Sequence, residues 1–231
     1  CLVGSEMCIR DRVGYVFYIN DGKNNYYYSE DGLTDTYDFK LGFYNFFQYP
    51  YINPADVMSK IEWMGKACFY QIFVDRFKQG NTHKDISYIN CKWGDIPSPF
   101  TYAGGDLKGI TEKLDYIKSL GCNVIYLTPV FKSKSNHKYD ISNYYETDEQ
   151  FGTNEDLHKL VETAHEKNIK IVLDAVFNHC SEDIMQFRDV CENGKNSKYY
   201  NWFIIHGDSV NENRDNYETF AGCKYMPKWN T

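Results

Sequence analysis

Apolar positions along the chain change their period near residue 66. From Val13 to Pro50 they alternate within runs rich in aromatic and β-branched residues: VGYVFYIN, NNYYYSE and FKLGFYNFFQY. Asp21-Gly22 and Asp31-Gly32 separate the first runs. Alternating runs split by D-G pairs predict antiparallel strands joined by tight turns. Residues 13–50 are short for a whole β-sandwich and read as its last strands. PYINPADVMSKIEW carries two prolines, so residues 51–66 read as a linker. The opening CLVGSEMCIRDR has no period, resembles a translated adaptor scar, and is set aside as non-native, residues 1–12.

Beyond Lys66 the apolar runs shorten and alternate with helical spacing. ACFYQIFV, NVIYLTPV and IKIVLDAVF are continuous apolar runs, the pattern of strands buried on both faces. Between the first two, Leu107, Ile110, Leu114, Ile117 and Leu120 recur at helical spacing, and Gly121 ends the pattern. Between the second and third, TNEDLHKLVETAHEKN offers an N-cap, acidic residues in its first turn and an apolar face of Leu157, Leu160, Val161 and Ala164. The stretch 131–152 reads as a loop. Strand, helix, strand, helix, strand predicts a parallel α/β sheet. Its long loops follow the C-terminal strand ends, where a (β/α)8 barrel builds its site. A doubly wound sheet is the rival, but no G-x-G-x-x-G follows the first strand. Residues 67–180 thus read as three βα units of a TIM barrel. In 181–231 the period fades into a polar, aromatic segment, read as the start of an inserted domain.

Composition narrows the partners. Net charge is −7 and no basic stripe appears, which argues against nucleic acid. No apolar run approaches the roughly 20 residues of a membrane span. The eight cysteines show no C-x-x-C pair and no regular spacing, and read as reduced thiols of a cytoplasmic protein. Tyr, Phe and Trp make up 17% of the chain. Such rings suit sugar faces as well as cores. In IVLDAVFNHC an apolar run gives way to Asp174, Asn178 and His179, the polar end of a buried strand.

FYQIFVDRF, GGDLKGITEKLDYIKSLGCNVIYLTPVF, SNHKYD, LDAVFNH and MPKWN occur in that order. In this order they resemble the α-amylase superfamily, glycoside hydrolase family 13, and most closely its neopullulanase, cyclomaltodextrinase and maltogenic amylase branch. MPKWN departs from that branch's M-P-K-L-N at Trp229. The resemblance implies a retaining hydrolase of α-1,4 and also α-1,6 glucosidic bonds in cyclodextrins, pullulan or maltodextrins, in which paired carboxylates act on the anomeric carbon. It implies that Asp174 orients the nucleophile through an arginine, that His179 hydrogen-bonds the sugar before the scissile bond, and that Tyr139 stacks under that ring with His137 beside it. Asn178 reads as structural, because Lys228 resembles a lysine that replaces a calcium ligand in this branch. The family's nucleophile stands in G-x-R-x-D; neither that motif nor the later glutamate and H-D pair occurs after His179. The chain is therefore read as an incomplete, inactive fragment.

The resemblance also implies a starch-binding-like sandwich ahead of the barrel and a homodimeric parent. No cofactor is required, but calcium is a candidate after the first strand. Asn81, Asp85 and Asp106 offer hard oxygen ligands. Gln79 and Lys84 depart from N-G-D-x-x-N-D, and a lysine beside a cation is unfavourable. The competing readings are a non-catalytic glucan-binding fragment and, among enzymes, an α-amylase or an oligo-1,6-glucosidase.

Overall fold

The structure is a computed structural model that describes residues 12–38, 45–50 and 59–231. The leading segment up to residue 11, the run 39–44 and residues 51–58 of the expected linker lie outside the described residues. The chain divides into two compact units, residues 1–65 and 66–231.

The first unit is antiparallel. Strands β1 (Arg12–Tyr15), β2 (Phe17–Asn20), β3 (Asn25–Ser29), β4 (Gly32–Thr34) and β5 (Phe47–Pro50) form a β2-β3-β4 meander and a β1-β5 pair. The D-G pairs explain the turns. The Asp21 carboxylate accepts from the backbone amides of Lys23 and Asn24 at 2.8 and 2.6 Å. Gly22 and Gly32 take φ of 88° and 104°, the left-handed region that a side chain disfavours. Phe17 pairs with Tyr28 across the β2-β3 ladder, and their rings stack at 6.3 Å.

The second unit is α/β. Its elements are β6 (Phe69–Ile72), α1 (Leu107–Glu112), α2 (Leu114–Ser119), β7 (Val124–Leu127), β8 (Phe131–Ser133), β9 (Ile141–Thr147), α3 (Asn154–Glu166), β10 (Lys170–Leu173) and α4 (Met185–Asn193). Strands β10-β7-β6 form one parallel sheet with Ile72, Leu127 and Leu173 in register. All three strands therefore end at one level. Val124, Ile125 and Leu127 of the central strand are fully buried, while the flanking strands are partly exposed. Leu107, Ile110, Leu114, Ile117, Leu160 and Ala164 of the helices close over the sheet in one core. Burying a Leu or Ile side chain contributes about 1.5–3 kcal/mol, which is what holds the helices to the strands.

Local chemistry sets the helix ends. Thr153 accepts from the Asp156 amide and Asp156 reaches back to the Thr153 amide, a reciprocal cap for α3. Asp106 caps α1 through the Gly109 amide. The pattern that predicts a single helix over 107–120 yields two. At Lys113 (φ −104°, ψ 7°) the amide turns to the Ile110 carbonyl, three residues back, and breaks the α ladder. Leu120, at the end of the second piece, is half exposed. The expected loop 131–152 holds the antiparallel pair β8-β9. The segment after His179 holds α4, whose Phe187 and Val190 are buried. In both, the apolar positions are diluted by polar ones, so period alone did not reveal them.

Candidate active site

Asp174 directly follows Leu173, the last residue of β10, and its amide extends the ladder to the Leu127 carbonyl at 3.1 Å. Tyr126, on the neighbouring strand, donates its hydroxyl to Asp174 Oδ2 at 2.8 Å. Burial, reinforced by that bond and by the Asp174 charge, pushes the Tyr126 phenol up to about 12. It therefore remains a donor at neutral pH. After Asp174 the chain turns sharply, with Val176 at φ 21°. Tyr144 of β9 braces this turn, donating to the carbonyls of Val176 at 2.8 Å and His179 at 3.1 Å.

His137 and Tyr139 sit on the tight turn between β8 and β9. Lys138 between them takes φ 61°. Its ammonium is buried and reaches Asp148 at 3.0 Å, the Ser133 carbonyl at 3.1 Å and Gln150 Oε1 at 2.7 Å. His137 Nδ1 lies 3.1 Å from both the Ser135 hydroxyl and the Tyr139 amide. Since that amide can only donate, Nδ1 accepts, and the neutral ring carries its proton on Nε2. Burial pushes the His137 imidazole below its ordinary value, against the opposing pull of Asp140.

His179 is buried, with its ring stacked on Phe220 at 4.4 Å and an angle of 16°. Asn178 Nδ2 lies 3.1 Å from its Nδ1, so Nε2 is the protonated nitrogen. That Nε2 is buried and has no hydrogen-bond partner among the described residues. Burial holds the ring below its ordinary 6.5, while the nearby Tyr139 backbone works the other way. The MPKWN segment lies alongside. His179 bridges Lys228, the Cys180 amide donates to the Pro227 carbonyl at 3.0 Å, and the Trp229 amide donates to the Asn178 carbonyl at 3.1 Å. Two motifs nearly fifty residues apart are thus one short antiparallel contact.

The structure brings all four expected residues, Asp174, His179, His137 and Tyr139, to one cleft of about 920 Å³, which Phe220 and Tyr225 also line. Sequence reasoning missed Phe220, Tyr225 and Tyr126. Each is one aromatic among many, and only the fold distinguishes them. The cleft offers one carboxylate already bonded to a phenol, an imidazole N–H and several aromatic faces. This set can hold a polyhydroxylated ring. It cannot by itself supply both an attacking carboxylate and a protonating acid.

The three candidate calcium ligands do not form a cage. Asp85 is exposed and accepts from the Ser87 amide and hydroxyl at 2.8 and 2.9 Å. Asn81 Oδ1 accepts from the His83 amide at 3.0 Å. Asp106 accepts from the amides of Gly80, Asn81 and Gly109, and Lys84 Nζ stands 3.3 Å from it. Among the described residues no group of three His, Cys, Asp or Glu is placed to hold a metal. The donors as placed therefore do not fit calcium.

A parallel sheet with its cleft at the C-terminal ends of the strands defines the class, an α/β fold of the kind that carries its site on strand-end loops. Residues 71–230 match the family described as alpha amylase, catalytic domain. The chain belongs to that family and has its fold, which is of the TIM-barrel kind. It is 43% identical to a cyclomaltodextrinase of Thermoanaerobacter pseudethanolicus over 93% of this chain and 38% of that protein. It is 44% identical to a maltogenic α-amylase of Bacillus acidopullulyticus over 95% of this chain and 38% of that protein. Among solved structures, a cyclic α-maltosyl-(1→6)-maltose hydrolase of Arthrobacter globiformis in complex with maltose superposes with a TM-score of 0.69 at 42% identity, covering 74% of this chain and 39% of that one. The chain spans about two-fifths of the length of these relatives.

Proposed function

We propose that this chain is a fragment of an α-glucan hydrolase that cleaves α-1,4, and also α-1,6, glucosidic bonds of cyclodextrins, pullulan or maltodextrins with retention. The sheet β6-β7-β10 is then the first three strands of a (β/α)8 barrel. Residues 181–231 open a domain inserted after the third strand, and the first unit ends a starch-binding-like sandwich. The parent is a cytoplasmic homodimer. The observation that carries the reading is the convergence of Asp174, His179, His137 and Tyr139, drawn from two separate motifs, on one cleft.

In this reading the cleft is one wall of the site. Tyr139 stacks under the sugar ring before the scissile bond. His179 Nε2, buried and unpartnered, donates to a hydroxyl of that sugar and is satisfied by it. Asp174, held by Tyr126, fixes an arginine that in turn orients the nucleophile. The nucleophile and the acid belong to the other wall, since the motif that carries the nucleophile is absent from these 231 residues. Relatives of this chain are named as cyclomaltodextrinase and maltogenic α-amylase, which supports the choice of substrates.

The test is a substrate panel on the full-length protein: β-cyclodextrin, pullulan and maltoheptaose, with release of reducing ends followed and the product anomer read by NMR. Turnover with α-anomeric product is expected. Binding of these glucans without turnover would favour a carbohydrate-binding protein instead.

A further inference from the structure

Lys84 is a buried cation at the junction of two loops. Its side chain is 7% exposed. Its ammonium donates to the carbonyls of Gly104 at 2.7 Å and Gln150 at 2.8 Å, with the Gly105 carbonyl at 3.5 Å and Asp106 Oδ2 at 3.3 Å. Gly104 and Asp106 belong to the long loop after β6; Gln150 follows β9. Asp106 is itself buried, and it orders the first loop by accepting from the amides of Gly80 and Asn81. A carboxylate and three carbonyls thus converge on one poorly solvated point. Hard oxygens in such a cluster repel one another unless a cation lies between them.

The contact extends to the cleft. Gln150 is shared by two buried lysines, its carbonyl by Lys84 and its side-chain oxygen by Lys138. Lys138 precedes Tyr139. The ammonium of Lys84 is therefore two side chains removed from the ring that lines the cleft.

We propose that Lys84 is the resident cation of this junction and takes the place of a divalent metal, so that the loop is ordered without calcium and does not admit it. A calcium ion among these oxygens would stand within a few ångströms of a fixed ammonium in a poorly solvated site. Like charges at that distance are strongly repulsive there. This inference goes beyond the proposed function and does not depend on it.

The test is thermal unfolding of the full-length protein, in excess EDTA and in millimolar calcium chloride, for the native sequence and for Lys84→Asn. Asparagine removes the positive charge and adds an amide oxygen to the cluster. The native protein is expected to show no calcium increment in Tm. Lys84→Asn is expected to melt lower in EDTA and to regain several degrees with calcium. Equal calcium increments in the two proteins would overturn the proposal. Should Lys84→Asn fail to fold, hydrogen exchange of the native peptide spanning residues 79–106 decides. Protection unchanged by EDTA supports a lysine in the metal's place; protection lost in EDTA overturns it.

Discussion

At the scale of single residues, protonation and stacking decide what the cleft can do. His137 and His179 are both held below the ordinary imidazole value by burial. Between their depressed folded values and 6.5 the unfolded chain binds more protons than the folded one. Stability therefore rises with pH across that window: the contribution is complete above 6.5 and is lost as pH falls below it. The Tm of the full-length protein should drop from about pH 7 to about pH 5, and His179→Asn should flatten that profile. An unchanged slope in the variant would show that burial of this ring does not govern the acid limb. Tyr139 makes the second residue-scale prediction. Loss of a stacked ring forfeits about 1.5 kcal/mol, so Tyr139→Ala should lower kcat/KM on maltodextrins at least about tenfold, while Tyr139→Phe keeps most of it. Initial rates on maltoheptaose check this. The identities of His137, Tyr139, Asp174 and His179 were legible because each stands in a short ordered motif. Phe220 and Tyr126 were not, because their roles come from ring stacking on His179 and a cross-strand bond to Asp174, and no local spacing encodes either contact. The burial of Lys84 and Lys138 was illegible too, since composition assigns lysine to the surface, although the departure of Lys84 from the metal-loop pattern was legible.

At the scale of elements, Gly105 just before α1 and Gly109 within it matter more than a helix cap. A Cβ on Gly105 would lie 2.0 Å from the Val74 carbonyl oxygen, and one on Gly109 would lie 2.0 Å from the Lys78 carbonyl oxygen. Neither neighbour is a flexible tip; both are backbone. Gly105→Ala should thus cost on the order of 3 kcal/mol, as the loop after β6 lifts away from α1. Thr153→Ala at the N-cap of α3 should cost only about 1 kcal/mol. Denaturant midpoints of the two variants give the ranking, and the reverse order would mean that the loop relaxes around the new methyl. The strands β6, β7 and β10 and the helix α3 were legible because their apolar runs are unbroken or strictly periodic. The break at Lys113 was not, because a one-residue change from an i−4 to an i−3 hydrogen bond leaves the apolar spacing intact. The β8-β9 pair was hidden by its irregular register, with shifts on both sides of Lys132.

At the scale of the whole molecule, the described parallel sheet has β6 and β10 at its margins. Each presents an unpaired row of backbone donors and acceptors on its outer side among the described residues, and such rows pair readily with other chains. Phe69 beside one margin and Phe177 beyond the other are exposed at 48% and 72%. A parallel strand paired on one side only is an unsatisfied element. In the proposed reading the four cleft residues are likewise a binding wall without an attacking carboxylate. Both observations lead to one expectation for the 231 residues expressed alone: self-association on gel filtration and no release of reducing ends from β-cyclodextrin or maltoheptaose, under conditions where the full-length protein turns over. Weak retention of maltodextrin is still expected, since Tyr139, His179 and Phe220 are all present. A monomeric preparation that hydrolyses either glucan would require a nucleophile within these residues, and would sink both the two-wall account and the reading of Asp174 as a residue that only positions others.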